Sequence, residues 1–221
     1  IKDFKNSKIY FEKLVINEPH NPEFHYNYAA VLQEMKEYKN SVNHYKKAIE
    51  LKKVYPKAFN NLGFVYKKLE KFNESKKCYE TAISQDPSYA IAYNNYANLL
   101  DLMCECESAI KAYKKSIEFD PTKLSTRWAL MNTFPVIYKN NEEIKDYQKK
   151  FQENVNSIIK FLDSNKDLSK ENILSGLKNS TNFYLHYQGF NNLPLQKKYS
   201  EVIDRLTAIA FPQYHKKINI L

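Results

Sequence analysis

The sequence predicts an all-α fold, a right-handed superhelical solenoid of αα-hairpin repeats with a non-repeat helical C-terminal cap. Three observations lead to this prediction. Residues of the same type recur at a step of 34 along much of the 221-residue chain. Inside each repeat the apolar residues lie three and four apart, which is the spacing of one buried helix face. The chain also has only 3 glycines, too few for a turn-rich all-β fold.

The 34-residue register appears in several columns at once. Asp86-Pro87 recurs as Asp120-Pro121. Other columns repeat amides, tyrosines and small residues: Asn27, Asn61 and Asn95; Tyr45, Tyr79, Tyr113 and Tyr147; Ala29, Gly63 and Ala97. So many coincident columns predict stacked copies of one unit, each of which buries a face against its neighbour.

Each repeat is predicted to contain two helices. In residues 56–89 the apolar spacing indicates a first helix over 58–71 and a second that opens at Asn73. Pro87 closes the second helix, because proline lacks an amide donor and biases the preceding residue away from helix. Small residues such as Gly63 let the two helices cross closely.

This pattern resembles the tetratricopeptide repeat (TPR). The family's signature positions in residues 56–89 read Phe59, Leu62, Gly63, Tyr66, Ser75, Tyr79, Ala82 and Pro87. Ser75 is a mild departure, because alanine is usual at that position. The resemblance implies a solenoid that binds proteins or extended peptides.

The register divides the chain into six parts. These are the second helix of a truncated repeat at 1–21, repeats at 22–55, 56–89 and 90–123, a degenerate capping repeat at 124–163 and a helical junction at 164–221. Pro135 is expected to break the first helix of the capping repeat. Later helices are predicted over about 142–163, over about 170–178 after Ser169, and from Leu193 to before Pro212. Because the chain begins in mid-repeat, we expect it to be a piece of a longer protein.

Charge and cysteine content narrow the class of protein. The net charge is +9, but the lysines are scattered in pairs such as Lys46-Lys47, which is typical of solvated helix faces. A basic nucleic-acid-binding array is therefore the weakest alternative. No apolar run approaches the ~20 residues that cross a bilayer. The 3 cysteines lack the paired spacing of a zinc site, and free thiols fit the cytoplasm, where we expect the protein.

No catalytic, cofactor or metal site is predicted within the chain. The isolated glycines exclude a glycine-rich phosphate loop. The five histidines (His20, His25, His44, His186 and His215) form no H-E-x-x-H motif. His186 is interpreted as a packed or capping residue. The chain as given is therefore expected to be no enzyme.

The candidate binding residues lie on the first helices, which line the inner face of such a stack. They are Asn27, Asn61 and Asn95 in one column, Asn60, Asn94 and Asn98 beside them, and Lys57 and Lys67. A ladder of amides can hydrogen-bond the backbone of an extended peptide. The amides could equally tie neighbouring helices together, and the sequence leaves both interpretations open. Lys57, Lys67 and Lys68 could attract an acidic segment.

A second mode of peptide binding is excluded. TPR domains that clamp the carboxylate tail of chaperones carry lysine, asparagine and arginine at defined inner positions. The equivalent residues here are Tyr26, Ala30, Ile91 and Asn95, so the positive charges are missing.

The junction carries a further resemblance. Residues 182–191 read N-F-Y-L-H-Y-Q-G-F-N, and L-Q-K-K-Y follows at 195–199. This string is similar to the junction of bacterial proteins of the SPINDLY/O-linked N-acetylglucosamine transferase type, where a TPR array meets a two-lobed glycosyltransferase. The resemblance implies that this chain recognises the acceptor and that lobes using a nucleotide sugar follow Leu221. The alternative is a stand-alone TPR adaptor without enzymatic activity.

Overall fold

The computed structural model describes residues 4–165, 168–177 and 192–214. Within these ranges the chain forms eleven α-helices and one 3₁₀ helix, without a β-strand, which confirms the all-α prediction. The chain divides into two compact units, residues 1–103 and 104–221. The motif at 182–191, with His186, and the tail with His215 lie outside the described residues.

Unit 1 is a stack of helical hairpins. Its helices are α1 (Phe4–Asn17), α2 (Pro22–Glu34), α3 (Tyr38–Leu51), α4 (Pro56–Lys68), α5 (Phe72–Gln85) and α6 (Ala90–Leu102). Helices α2 and α3 pack as one hairpin and α4 and α5 as the next, while α3 contacts α4 and α5 contacts α6. Helices α2, α4 and α6 also contact one another in order. The first helices therefore form one layer of the stack.

The two helices of each hairpin cross closely. The Ser75 hydroxyl donates a hydrogen bond to the Gly63 carbonyl at 2.7 Å, and Ser41 donates equivalently to the Ala29 carbonyl at 2.8 Å. A Cβ atom on Gly63 would lie 2.9 Å from Cε1 of the fully buried Tyr79 ring. Serine at position 75 is thus accommodated because its hydroxyl finds a carbonyl acceptor in the crossing helix.

Three turns between successive helices each contain a residue with a left-handed backbone conformation. Lys36, Glu70 and Cys104 have φ angles of 62°, 59° and 60°, in the left-handed region. These positions are 34 apart, so the register extends to the backbone. The helix predicted over 58–71 instead spans Pro56–Lys68. It ends before residue 71 because the backbone of Glu70, two residues after Lys68, is left-handed.

Unit 2 has helices of unequal length. They are α7 (Cys106–Phe119), α8 (Leu124–Met131), α9 (Asn141–Ser164), α10 (Lys170–Leu177) and α11 (Leu193–Ala210), followed by the 3₁₀ helix Pro212–Tyr214. Helix α8 ends four residues before Pro135, and the 24-residue α9 matches the long helix predicted there. The Ser169 hydroxyl accepts a hydrogen bond from the Asn172 amide at 3.2 Å, so it caps α10 as expected.

The core of unit 2 is built around α8 and α9. Trp128, Phe151 and Ile158 are almost completely buried. The Trp128 and Phe151 rings both lie against Tyr199 of α11, with ring centroids 5.6 and 6.1 Å apart. These aromatic contacts join the last helix to the hairpin formed by α8 and α9.

Candidate peptide-binding face

One row of mostly polar residues runs along α4 and includes the buried Asn60. Ala58, Leu62 and Val65 are buried, whereas Lys57 is exposed and Phe64 is partly buried. Lys57, Asn60 and Asn61, Phe64, and Lys67 and Lys68 follow one another at spacings of three and four residues. Side chains at these spacings are neighbours on a helix surface. We call this set the α4 stripe.

The amides of the α4 stripe belong to a chain of hydrogen bonds that joins four helices. Asn95 of α6 donates from Nδ2 to Oδ1 of Asn60 at 2.9 Å, and Asn60 donates to Oδ1 of Asn61 at 3.0 Å. Asn61 then donates to the hydroxyls of Tyr26 at 3.1 Å and Tyr45 at 3.2 Å. This chain of hydrogen bonds therefore links successive hairpins of unit 1.

The other candidate amides lie elsewhere on the first helices. Asn27 is partly buried on α2 and lines a cleft described below. Asn98 donates from Nδ2 to the backbone carbonyl of Asn94 at 2.7 Å, one turn earlier on α6. Asn27, Asn61 and Asn95 thus share a register column, but Asn27 lines the cleft whereas Asn61 and Asn95 hydrogen-bond other side chains.

Tyr45 is the centre of the polar contacts between α2, α3 and α4. It is fully buried, and its hydroxyl donates to Oε1 of Gln33 at 3.1 Å while accepting from Asn61. The Tyr26 ring lies 5.8 Å from the Tyr45 ring and 5.1 Å from the Tyr55 ring. Burial raises the pKa of Tyr45 well above its ordinary value of 10.0 and raises the pKa of Tyr55 to about 12. These phenols are therefore neutral hydrogen-bonding groups at any physiological pH.

An aromatic cleft opens at the amino-terminal ends of α2 and α4. Its volume is about 460 Å³. It is lined by Glu23, Tyr26, Asn27, Lys52, Val54, Tyr55, Pro56, Lys57, Asp86 and Tyr89. Lys52 forms an ion pair with Glu23 at 2.8 Å and lies 4.6 Å from the centre of the Tyr55 ring. The exposed Val54 and the aromatic walls give the cleft apolar surface, and Asn27 and Lys57 add polar groups.

Opposite charges occupy equivalent positions at the far ends of α4 and α6. Lys67 and Asp101 are 34 residues apart and both are partly buried. Burial lowers the pKa of Lys67 and raises the pKa of Asp101 to about 6. Among the described residues neither side chain has an ion-pair partner. Both groups are therefore partly dehydrated without charge compensation.

A histidine pair lies between α2 and α3. His25 is buried, and its Nε2 lies 3.0 Å from the Pro19 carbonyl oxygen. Since a carbonyl only accepts, this nitrogen carries the proton, and Nδ1 of neutral His25 accepts from Nδ1 of His44 at 3.0 Å. Burial and the neighbouring His25 lower the pKa of His44 below 6.5. Periodicity gave no signal for this pair, because neither position repeats histidine 34 residues later.

The histidine pair predicts a loss of stability in mild acid. The pKa of His44 is lower in the folded chain than in the unfolded one, so the unfolded chain binds a proton first. The free energy of unfolding should consequently fall as the pH drops below about 6.5. We expect urea unfolding at pH 7.5 and pH 5.5 to show a smaller difference for His44→Gln than for the original chain. Equal differences would contradict this assignment.

Unit 2 contains a more open depression of about 730 Å³ beside α9. Arg127 lies in it, 4.8 Å from the centre of the Phe161 ring. The guanidinium donates to the Pro121 carbonyl at 3.0 Å and to the Ser157 hydroxyl at 3.3 Å. Arg127 thus connects the start of α8 to α9, and these contacts account for its position.

Thiols, metal ligands and membrane spans add no further site in the described ranges. Cys78 and Cys106 are buried, and Cys104 is exposed. No group of three or more histidine, cysteine or acidic side chains is arranged to hold a metal ion among the residues that the structure covers. None of the described helices is both long and apolar enough to cross a bilayer.

Comparisons with known proteins define the class of fold. Residues 56–89 match the family model described as tetratricopeptide repeat, and residues 34–70 match a model described as TPR repeat. No curated protein matches the sequence significantly. Residues 34–89 therefore contain tetratricopeptide repeats, and the fold is of the TPR solenoid class.

Solved structures agree with this class. The crystal structure of MamA is 20% identical with a TM-score of 0.62, and the similarity covers 72% of this chain and 90% of MamA. MamA from Desulfovibrio magneticus RS-1, starting at its residue 41, is 19% identical with a TM-score of 0.63. The similarity covers 76% of this chain and 89% of that one. YrrB, described as a TPR protein with an unusual peptide-binding site, is 16% identical with a TM-score of 0.57. The similarity covers 92% of this chain and 93% of YrrB. At these identities the likeness concerns the fold.

Proposed function

We propose that the chain is a protein-interaction module that holds an extended segment of a partner protein against the first helices of unit 1. The observation that carries this proposal is the aromatic cleft, with Tyr26, Tyr55 and Tyr89 in its walls and Asn27 and Lys57 beside them. Aromatic side chains supply contact area at low entropic cost, and the amide and ammonium groups supply directed hydrogen-bond donors. This combination suits a peptide.

The cleft and the α4 stripe are continuous, because Lys57 belongs to both. From Lys57 to Lys67 the helix rises about 15 Å, at 1.5 Å per residue. An extended chain covers that length in roughly four to five residues. A segment of ordinary motif length can therefore occupy both features. The description of YrrB as a TPR protein with a peptide-binding site supports the same general function.

The parent protein is a separate part of the proposal. The resemblance of residues 182–199 to the SPINDLY/O-linked N-acetylglucosamine transferase junction favours a bacterial glycosyltransferase in which this chain presents the acceptor. A stand-alone adaptor agrees equally well with the TPR fold. Reading the coding sequence after Leu221 separates the two. A parallel α/β pattern with a histidine-bearing loop supports the transferase, whereas a stop codon or further repeats would exclude it.

We assign different roles to the candidate amides. Asn60, Asn61 and Asn95 hydrogen-bond one another and the tyrosines, which supports a structural role. Asn27 lines the cleft, which supports a role in binding. The two interpretations of the asparagine column therefore apply to different members of it.

A peptide selection tests this assignment. The chain is used to enrich peptides from a random dodecapeptide display library, and the affinity of an enriched peptide is measured by fluorescence anisotropy. We expect Asn27→Ala and Lys57→Ala to weaken binding about tenfold, the scale of a lost interface contact of more than 1 kcal/mol, with unchanged melting. Asn61→Ala should lower the free energy of unfolding by about 1–2 kcal/mol and retain the affinity per folded molecule.

The control is Asn43→Ala, because Asn43 is exposed on α3, a second helix of a hairpin. It should change neither binding nor melting. Failure to enrich any peptide would overturn the interaction-module proposal. Weaker binding by Asn61→Ala at equal folded concentration would instead show that the Asn61 amide takes part in binding.

A further inference from the structure

Two lysines at the carboxyl end of α4 surround an aromatic ring. The Nζ atoms of Lys67 and Lys68 lie 5.7 Å and 5.4 Å from the centre of the Phe64 ring. Both lysines follow Phe64 by three and four residues, so they share its side of the helix. Lys67 is partly buried, whereas Lys68 is exposed. We call these three residues the Phe64 cation cluster.

The Phe64 cation cluster lacks a counter-charge within the described residues. Other lysines of unit 1 do form ion pairs, as Lys8 does with Glu37 and Lys52 with Glu23. Lys67 has a lowered pKa because of burial, and the like charge of Lys68 adds to the effect. Lys67 is thus already partly dehydrated by folding, before any partner binds. A carboxylate that arrives there gains attraction to two cations with little further loss of hydration.

Asp101 presents the opposite charge one repeat further on. It occupies the register position of Lys67 on α6, and α4 and α6 are in contact. It is partly buried without a cation partner among the described residues. Burial alone raises the pKa of Asp101 to about 6. Packed helices lie about 8–10 Å apart, a distance that roughly three residues of an extended segment span.

We propose that the segment bound by unit 1 carries an acidic side chain that lies on the Phe64 cation cluster and, about three residues away, a basic side chain that pairs with Asp101. This inference rests on the proposed function and specifies the chemistry of the partner. It differs from recognition of a chain-terminal carboxylate, because both charges belong to side chains and the segment continues in both directions.

A protein segment fits these charges better than a nucleic acid does. The carboxylates of Glu23 on α2 and Asp101 on α6 lie on the two first helices that contact α4, which carries the lysines. A phosphate backbone has one charge at every nucleotide and would be repelled at these carboxylates. A segment of mixed charge can place each sign opposite its complement.

The test compares dodecapeptides enriched from a random display library by three proteins: the original chain, Lys67→Glu and Lys77→Glu. Lys77 is an exposed lysine of α5, a second helix of its hairpin, and serves as the matched control. The original chain and Lys77→Glu should enrich peptides with an acidic and a basic residue two to four positions apart. Lys67→Glu should lose the preference for the acidic residue.

Affinities measured by fluorescence anisotropy complete the test. In an enriched peptide, changing the acidic residue to its amide should weaken binding about tenfold, equivalent to 1.4 kcal/mol. The same change should matter little in Lys67→Gln, a milder variant with the residue type found at Gln33 in the equivalent position of α2. Asp101→Asn should remove the preference for the basic residue.

Three outcomes are separable. If no peptide is enriched, the interaction-module proposal itself fails. If peptides are enriched without the charge pair, or if Lys67→Gln leaves their charge preference intact, the charge-pair inference alone is overturned. Salt-sensitive binding of a mixed-sequence oligonucleotide that is lost in Lys67→Gln would show that the Phe64 cation cluster serves nucleic acid instead.

Discussion

Replacing Tyr45 with alanine should lower the free energy of unfolding by about 3–5 kcal/mol, the usual cost of truncating a large buried aromatic side chain. Tyr45 is fully buried, it packs in a core with Ala29, Leu62 and Val65, and its hydroxyl contacts Asn61. The substitution therefore leaves a cavity at the junction of three helices. Denaturant unfolding followed by circular dichroism measures the loss.

Two hydroxyl deletions separate ring packing from hydrogen bonding. Tyr45→Phe removes contacts to Asn61 and Gln33 and should cost about 1 kcal/mol. Tyr79 occupies the equivalent place in the next hairpin, yet its buried hydroxyl has no well-formed hydrogen bond within the described ranges, since the neighbouring Ser75 donates to Gly63. Tyr79→Phe should therefore be neutral or slightly stabilising. Equal costs for the two deletions would contradict the hydrogen-bond network around Tyr45.

The second large effect is expected at the helix crossing of the α4–α5 hairpin. Gly63→Leu should destabilise the chain by about 3 kcal/mol, the upper part of the usual overpacking range. Even a Cβ atom at this position would lie 2.9 Å from the Tyr79 ring, which is fully buried and has little room to move. A leucine therefore requires either the ring or the helix to shift. Thermal and denaturant unfolding both report this change.

The matched control is Gly63→Ala. The register places alanine at the equivalent position of the preceding hairpin, and this Ala29 is buried in one core cluster with Tyr45. That hairpin shows that a crossing of this kind accommodates one methyl group. The higher helix propensity of alanine also offsets about 1 kcal/mol of strain. We expect Gly63→Ala to stay within about 1 kcal/mol of the original chain, and a loss as large as that of Gly63→Leu would show that this crossing is rigid.

The helical fold could be predicted from the sequence because identical constraints recur. Each crossing needs a small residue such as Gly63 opposite a large one such as Tyr79, and each pair is visible at a step of 34. The ends of the helices were harder to predict from the sequence. Glu70 has the left-handed backbone that ends the first helical stretch, but it is not a glycine, so no residue type marked that turn.

For the candidate site, the sequence predicts which helices carry the residues but not what their side chains contact. The register correctly brings Asn61 and Asn95 to neighbouring first helices, and hydrogen-bond partners then distinguish members of the column. Asn60 is buried and receives the Asn95 amide, a contact that depends on side-chain conformation and not on spacing. His25 and His44 meet because α2 and α3 pack together. Without a repeated column, no sequence pattern indicated their contact.

The left-handed turns at Lys36, Glu70 and Cys104 have a consequence for how this array can change over time. An L-residue in that conformation carries a backbone penalty that glycine avoids. Glycine at these three equivalent positions, each of which lies between helices, would therefore raise the stability of the chain. A substitution on a first helix that changes ligand preference and lowers stability can be offset by glycine at one of these turns. Evolution of specificity and maintenance of the scaffold would then proceed at separate sites.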